Sequence, residues 1–250
     1  FTSTPKIDGA SLPVNGLFHP TSGDTRFGTT RSPELVIVRA GKPSLVIELR
    51  LGFGSGNTIT GTVKQRFRGV NIAVSDVAAL RAAYSATVKV SSALAKPYTL
   101  LFPAKAQTPS LGAQFYPQSP GYATMTVNVN GTVTYVGKLA DHSVLSSSGA
   151  LVTGDQFPIF SALYVGKGVI AGYAGITDAS ASTYDVTATD LLWVRPVIAT
   201  SQWYPDGWPD GLTVDAVGAR YTVPPALPAK SVFPDLQALN PNTTLTFTDG

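Results

Sequence analysis

From Gly131 to Gly175 apolar residues alternate with small or polar ones in short runs, and a Gly or Asp marks each break. A period of two places alternate side chains on opposite faces of a strand, and breaks every ~8–12 residues are the spacing of an antiparallel meander. The pattern predicts an all-β chain, an antiparallel β-sandwich or barrel. Strands are expected at Glu34–Arg39, Ser44–Leu51, Thr58–Phe67, Val70–Val74, Ala86–Ser91 and Tyr98–Phe102. Beyond these they are expected at Tyr122–Asn130, Thr132–Lys138, Ser143–Ser148, Phe157–Val165, Val169–Tyr173 and Leu191–Val194. The one helical pattern is Asp76–Tyr84, where Ser75 can cap and Val77, Leu80 and Tyr84 share a face, so a short connector helix is expected there.

The whole chain, 1–250, reads as a single all-β unit. The segment 103–120 carries four Pro and no alternation, which makes it the expected boundary between related halves at about 14–105 and 106–250. The repeat is suggested by two long hairpins, one through Gly54-Ser55-Gly56 and one through Asn130-Gly131. The second of these has the chemistry of a type I′ turn. Residues 1–15 read as an extended arm. Residues 223–241 hold five Pro and lead to a clean alternation at 243–248, in which Thr244, Leu245, Thr246 and Phe247 form an expected assembly strand. Such a strand can pair with its own sheet or complete that of a neighbour.

Composition supports strands and turns rather than chemistry. Only 13% of residues are charged, with 24 Gly, 19 Pro and no Cys, so thiol catalysis and thiolate metal sites are excluded. No apolar run reaches the roughly 20 residues of a membrane helix, and residues 1–15 lack the basic start and apolar core of a signal peptide. Charge is uneven: residues 1–105 hold 13 Lys/Arg against 5 Asp/Glu (+8), and residues 106–250 hold 5 against 10 (−5). That asymmetry suits head-to-tail association of copies, or it is an uneven solvated surface. Lys64, Arg66 and Arg68 alternate, so a strand would put all three on one face; this stripe could meet an anionic glycan or a partner, or protect a strand edge. No recognition helix or aromatic platform accompanies it, which argues against nucleic acid.

Catalytic patterns are weak throughout. The segment 52–57 lacks the third Gly of a dinucleotide turn and leads into a strand pattern rather than a helix. His19 and His142 are the only histidines, and Ser146–Ser148 has no GxSxG elbow. Glu34 and Glu48, the only glutamates, are expected in surface ion pairs rather than as an acid pair for glycoside hydrolysis. Asp178, Asp185 and Asp190 fit no known calcium loop. No enzyme activity, metal or cofactor is expected. The candidate ligand site is the run 203–211, where two Pro-Asp-Gly turns gather Trp203, Tyr204 and Trp208 with Asp206 and Asp210, groups that stack on and hydrogen-bond sugars; the alternative is that the rings plug an open end of the barrel.

Gly137-Lys138-Leu139-Ala140-Asp141, Gly154-Asp155-Gln156-Phe157-Pro158, Leu163-Tyr164-Val165-Gly166-Lys167-Gly168, Leu192-Trp193 and Tyr204-Pro205-Asp206-Gly207 follow one another in that order. The series resembles β-rich modules repeated near the C-termini of large secreted and surface proteins of environmental bacteria. His142 stands where such modules tend to show Gly. The resemblance implies export and a place in an extracellular or cell-surface assembly, with copies of itself, other surface proteins or glycans as partners and no membrane insertion. The functional expectation is a structural or adhesive module, with a carbohydrate-binding module as the alternative.

Overall fold

The computed structural model describes residues 2–3, 6–7, 10–21, 24–28, 34–52, 58–105, 112–178 and 184–221. Their regular structure is antiparallel strand, with single 3-10 turns at Ala113–Phe115 and Tyr164–Gly166. Four two-residue strands lie at the start: β1 (Thr2–Ser3) pairs with β4 (Val14–Asn15), and β2 (Lys6–Ile7) with β3 (Ala10–Ser11). Where an extended arm is expected, the chain forms two short ribbons.

A six-stranded sheet follows, formed by β5 (Leu17–Thr21), β6 (Asp24–Gly28), β7 (Leu35–Ile37), β8 (Ser44–Leu51), β9 (Thr58–Phe67) and β10 (Val70–Leu80). Its order is β10-β9-β8-β6-β5, and β7 also pairs with β8. Ile47 and Leu49 of β8 and Val14 form its small core, against Leu35, Ile37, Ile59, Val63 and Val77. The helix expected at Asp76–Tyr84 does not form, because β10 runs through it. Val70–Leu80 pairs with β9 along its length, Asp76 opposite Thr62 and Leu80 opposite Thr58. A two-turn helix is marginal alone, and a ready ladder on β9 outweighs its i, i+3 spacing. Arg68 and Gly69, both at positive φ, make the two-residue type I′ turn between β9 and β10.

The remaining strands are β11 (Pro97–Phe102), β12 (Gly121–Val127), β13 (Thr132–Lys138), β14 (Val144–Ala150), β15 (Gln156–Leu163), β16 (Gly168–Ile176), β17 (Val186–Arg195) and β18 (Trp208–Arg220). They form one sheet in the order β14-β13-β12-β11-β18-β17-β16-β15. Each strand therefore pairs with the next in sequence except β14 and β15, which stand at the two ends of the order, and β11 pairs with β18 to bring first and last together: an up-and-down, nearly closed barrel. Because β11 belongs to this sheet, the two sheets divide between Leu80 and Pro97. The Pro-rich stretch 103–120 instead links two barrel strands. The segment 86–91, expected as a strand, is irregular. Ser85 turns it by accepting from the amides of Thr87 and Val88 through its Oγ, and Val90 drops into the barrel core.

The alternation of buried with more exposed positions along β11, β12, β15 and β17 fills the barrel interior with Tyr98, Leu100, Met125, Phe157, Ile159, Leu191 and Trp193. Eight strands leave a lumen just wide enough for such side chains. The seam lies between β14 and β15. There the Tyr135 hydroxyl accepts from the Phe160 amide at 2.8 Å and faces the Phe160 carbonyl at 3.3 Å, standing in for a missing ladder. Pro158 sits on this edge strand, where it removes no ladder donor. The Asn130-Gly131 turn is not type I′. Only Gly131 has positive φ, and the Asn128 amide donates to Thr132 O, the geometry of a type I turn closed by a Gly bulge.

Candidate functional site

Alternating strands place the barrel's loops at two ends, and both ends are stoppered. At one, the segment 81–96 crosses the opening. The Ala83 amide donates to Leu151 O, Val90 N donates to Val129 O, and the Tyr84 hydroxyl donates to Asp155 Oδ1 at 2.7 Å. Val90 and Leu94 enter the core, and the Tyr98 hydroxyl donates to Leu94 O at 2.8 Å. Burial pushes the Tyr98 hydroxyl up to about 12. Arg220 at this end pairs with Asp178 and Asp185, at 2.5 and 2.8 Å. Asp190 instead pairs with Lys105 at 2.8 Å, so the three aspartates are divided between two cations. Among the described residues no three His, Asp or Glu side chains gather as metal ligands.

The other end carries the aromatic run. β17 is an apolar strand closing on Trp193 and Arg195; β18 begins with Trp208; and the β13–β14 turn supplies Asp141. Arg195 and Asp141 form a buried ion pair, Nε to Oδ2 2.9 Å, with side chains 3% and 1% exposed. The rest of the guanidinium is spent on the loop before β18: Nη2 donates to Ser201 Oγ and Trp203 O at 2.9 and 3.0 Å, and Nη1 donates to Tyr204 O. The rings of Tyr164 and Trp208 flank it at 5.5 and 5.6 Å. Asp141 Oδ2 also accepts from the Tyr164 hydroxyl at 2.6 Å, and Oδ1 from the Ser143 amide at 3.0 Å. The indole N–H of Trp193 donates to the Tyr164 oxygen at 3.1 Å. Burial first, and then the Asp141 carboxylate, hold the Tyr164 hydroxyl well above the ordinary tyrosine range.

Within this network the polar groups of Arg195, Asp141, Tyr164 and Trp193 bond to one another and to the loop before β18. The rings of Trp193 and Trp208 meet edge to face at 4.7 Å, and Tyr204 meets Trp208 at 5.4 Å. Trp208 is 5% exposed and Tyr204 is half-buried, whereas Trp203, Asp206 and Asp210 are exposed. Of the three rings expected to stack on sugars, only Trp203 offers an open face. The two Pro-Asp-Gly runs also differ. Pro205–Gly207 is a turn, in which a Cβ at Gly207 would lie 2.5 Å from the carbonyls of Arg195 and Pro196. Pro209–Gly211 lies within β18, beside the shift of register between Trp193 and Arg195. His142 adopts the left-handed conformation, φ 66°, that a Gly would adopt without strain.

The basic stripe is divided. β9 is an interior strand, so its cations do not guard an edge. Lys64 is bonded to Glu48, Arg66 to Glu34 and Asn71 at 3.5 and 3.1 Å, and Arg68 lies in the turn over the Phe67 ring at 5.3 Å. The hydrogen bond from Lys64 holds the Glu48 carboxyl below its ordinary range. The carboxylate partners, Glu34 and Glu48, line a surface concavity of about 430 Å³ with Arg50, Thr60 and Thr62. A second, uncharged concavity of about 420 Å³ lies on the outer face of β12–β14, among Thr124, Thr126, Thr134, Ser146 and Ser148. His142 is exposed while Asp141 is buried against Arg195, so they form no triad with Ser146–Ser148. His19 lies in β5. Of the segment 52–57 only Gly52 is described, and β9 follows it as a strand; Thr244, Leu245, Thr246 and Phe247 lie outside the described residues.

Sequence reasoning missed Arg195, Asp141 and Tyr164. The available signal was a lone Arg closing the apolar run Leu191–Val194, which must find a buried acceptor. No family model, curated protein or solved structure matches this chain.

Proposed function

We propose that this chain is a non-enzymatic structural or adhesive β module of an extracellular bacterial surface protein, and a subunit that joins copies of itself through strand edges and charge complementarity. The observation that carries this reading is the stoppered barrel. Its interior is filled by side chains, and the polar groups of Arg195 and Asp141 are consumed by one another and by the loop they hold. Such a unit can bear load and present surfaces, its interior being filled by its own side chains. The opposite net charges of residues 1–105 and 106–250 supply a directional attraction. Light scattering of the full chain over a range of concentration and salt tests the reading. Mass growing with concentration and falling with added salt is expected; a monomer mass throughout contradicts self-association.

Carbohydrate binding remains as a second reading because Trp203, 55% exposed, is fixed by the bond from Arg195 to its own carbonyl, with Asp206 and Asp210 nearby in sequence. Retention on polysaccharide columns that is lost in Trp203→Ala supports it. Equal elution of both proteins removes it.

A further inference from the structure

We infer that the outer edge of β10 is the acceptor for the terminal strand, residues 243–248, of a neighbouring copy; this rests on the self-association proposed above. β10 is the outermost strand of its sheet and pairs with β9 on one side only among the described residues. Its residues 70–76 are exposed, and Val70, Ile72 and Val74 are 64, 55 and 57% accessible. Asp76 is the one charge in its eleven residues, with no Lys and no Pro. Edges that must stay single are short, charged or Pro-bearing. β10 carries the single charge of Asp76 and a bulge between Asn71 and Ala73, which leaves Ala73–Leu80 in regular register.

The two faces of β10 differ in the way the terminal strand requires. Through the register, Ala73, Ser75, Val77 and Ala79 lie beside Gln65, Val63, Gly61 and Ile59, on the face that carries the small core. Three of those four are small, which leaves room on the next strand for large apolar side chains. In an added strand Leu245 and Phe247 share one face and can fill that row, while Thr244, Thr246 and Thr248 fall beside Val74, Asp76 and Ala78. Reach is sufficient. The described chain leaves the barrel at the end crossed by 81–96, where the Tyr221 amide donates to Pro97 O and where β10 also arrives. The 21 residues from 222 to 242 span roughly 65 Å in extended Pro-rich form.

The absence of cysteine makes a direct test available. In the full chain, Val74→Cys is combined in turn with Thr244→Cys, Thr246→Cys and Thr248→Cys, and each protein is oxidised and run without reductant. Neighbouring strands bring Cα atoms within disulfide range. A ladder of linked dimers, trimers and higher forms from at least one pair, lost on reduction, is the expected result. A linked monomer alone means that the strand closes on its own copy, and overturns the inference. Dimers from Val74→Cys alone mean that two β10 edges meet, and also overturn it. If no pair links while light scattering still shows growth in mass, β10 is not the acceptor but the proposed self-association stands; if mass never grows, both fall.

Discussion

Arg195 is expensive to bury. Removing a guanidinium and a carboxylate from water costs several kcal/mol per ion, so the pair holds only because Arg195 and Asp141 complete each other's hydrogen bonds. Removing either partner leaves an uncompensated charge, and Asp141→Ala or Arg195→Ala is expected to lower stability by about 3–5 kcal/mol in denaturant unfolding. The two tryptophans separate packing from bonding. Trp193 donates to Tyr164, whereas the Trp208 N–H is buried without a protein partner. Trp193→Phe therefore costs about 1–2 kcal/mol more than Trp208→Phe, read from the same unfolding curves. At His142 the left-handed backbone is strained by a Cβ, and His142→Gly is expected to raise stability by up to about 1 kcal/mol. Tyr164 titrates above the free value of about 10. Its contribution is complete below that pH and is lost as pH rises past it, because the unfolded chain deprotonates first. The alkaline loss should be shallower in Tyr164→Phe. At this scale the sequence was least legible: Asp141 and Arg195 lie 54 residues apart, and no local pattern links them.

Strands were legible where one face is buried and the other wet. β12 and β13 alternate cleanly, and their expected bounds fall within a few residues of those observed. β10 was misread because Val77 and Leu80, three residues apart, share a face only on a helix, and it is the partner strand β9 that overrides this spacing. β18 was hidden for a different reason. Trp208, Pro209 and Gly211 carry turn chemistry, yet the strand absorbs them in an irregular stretch before Leu212–Ala216 resumes alternation. Across the barrel seam the Tyr135 hydroxyl bonds to the β15 edge. Tyr135→Phe is expected to cost about 1–3 kcal/mol by leaving the Phe160 amide unpaired. Hydrogen exchange at Phe160 should quicken while exchange across the β11–β18 pairing stays slow; equal change at both sites would place the effect elsewhere.

For the whole molecule, the contrast between its two sheets sets the expected behaviour. The barrel turns its two edge strands toward one another and stoppers both ends, whereas the six-stranded sheet has a small core and leaves β10 open along Val70–Asp76. The closed part supplies rigidity and the open part a place to join. Composition and charge made this division partly visible, since the basic residues concentrate before residue 106; the edge itself required the strand order. Negative-stain electron microscopy of the full chain at low and at high salt tests the central claim most directly. The account predicts ordered filaments or oligomers at low salt that shorten or disperse at high salt. Uniform single particles under both conditions would contradict it.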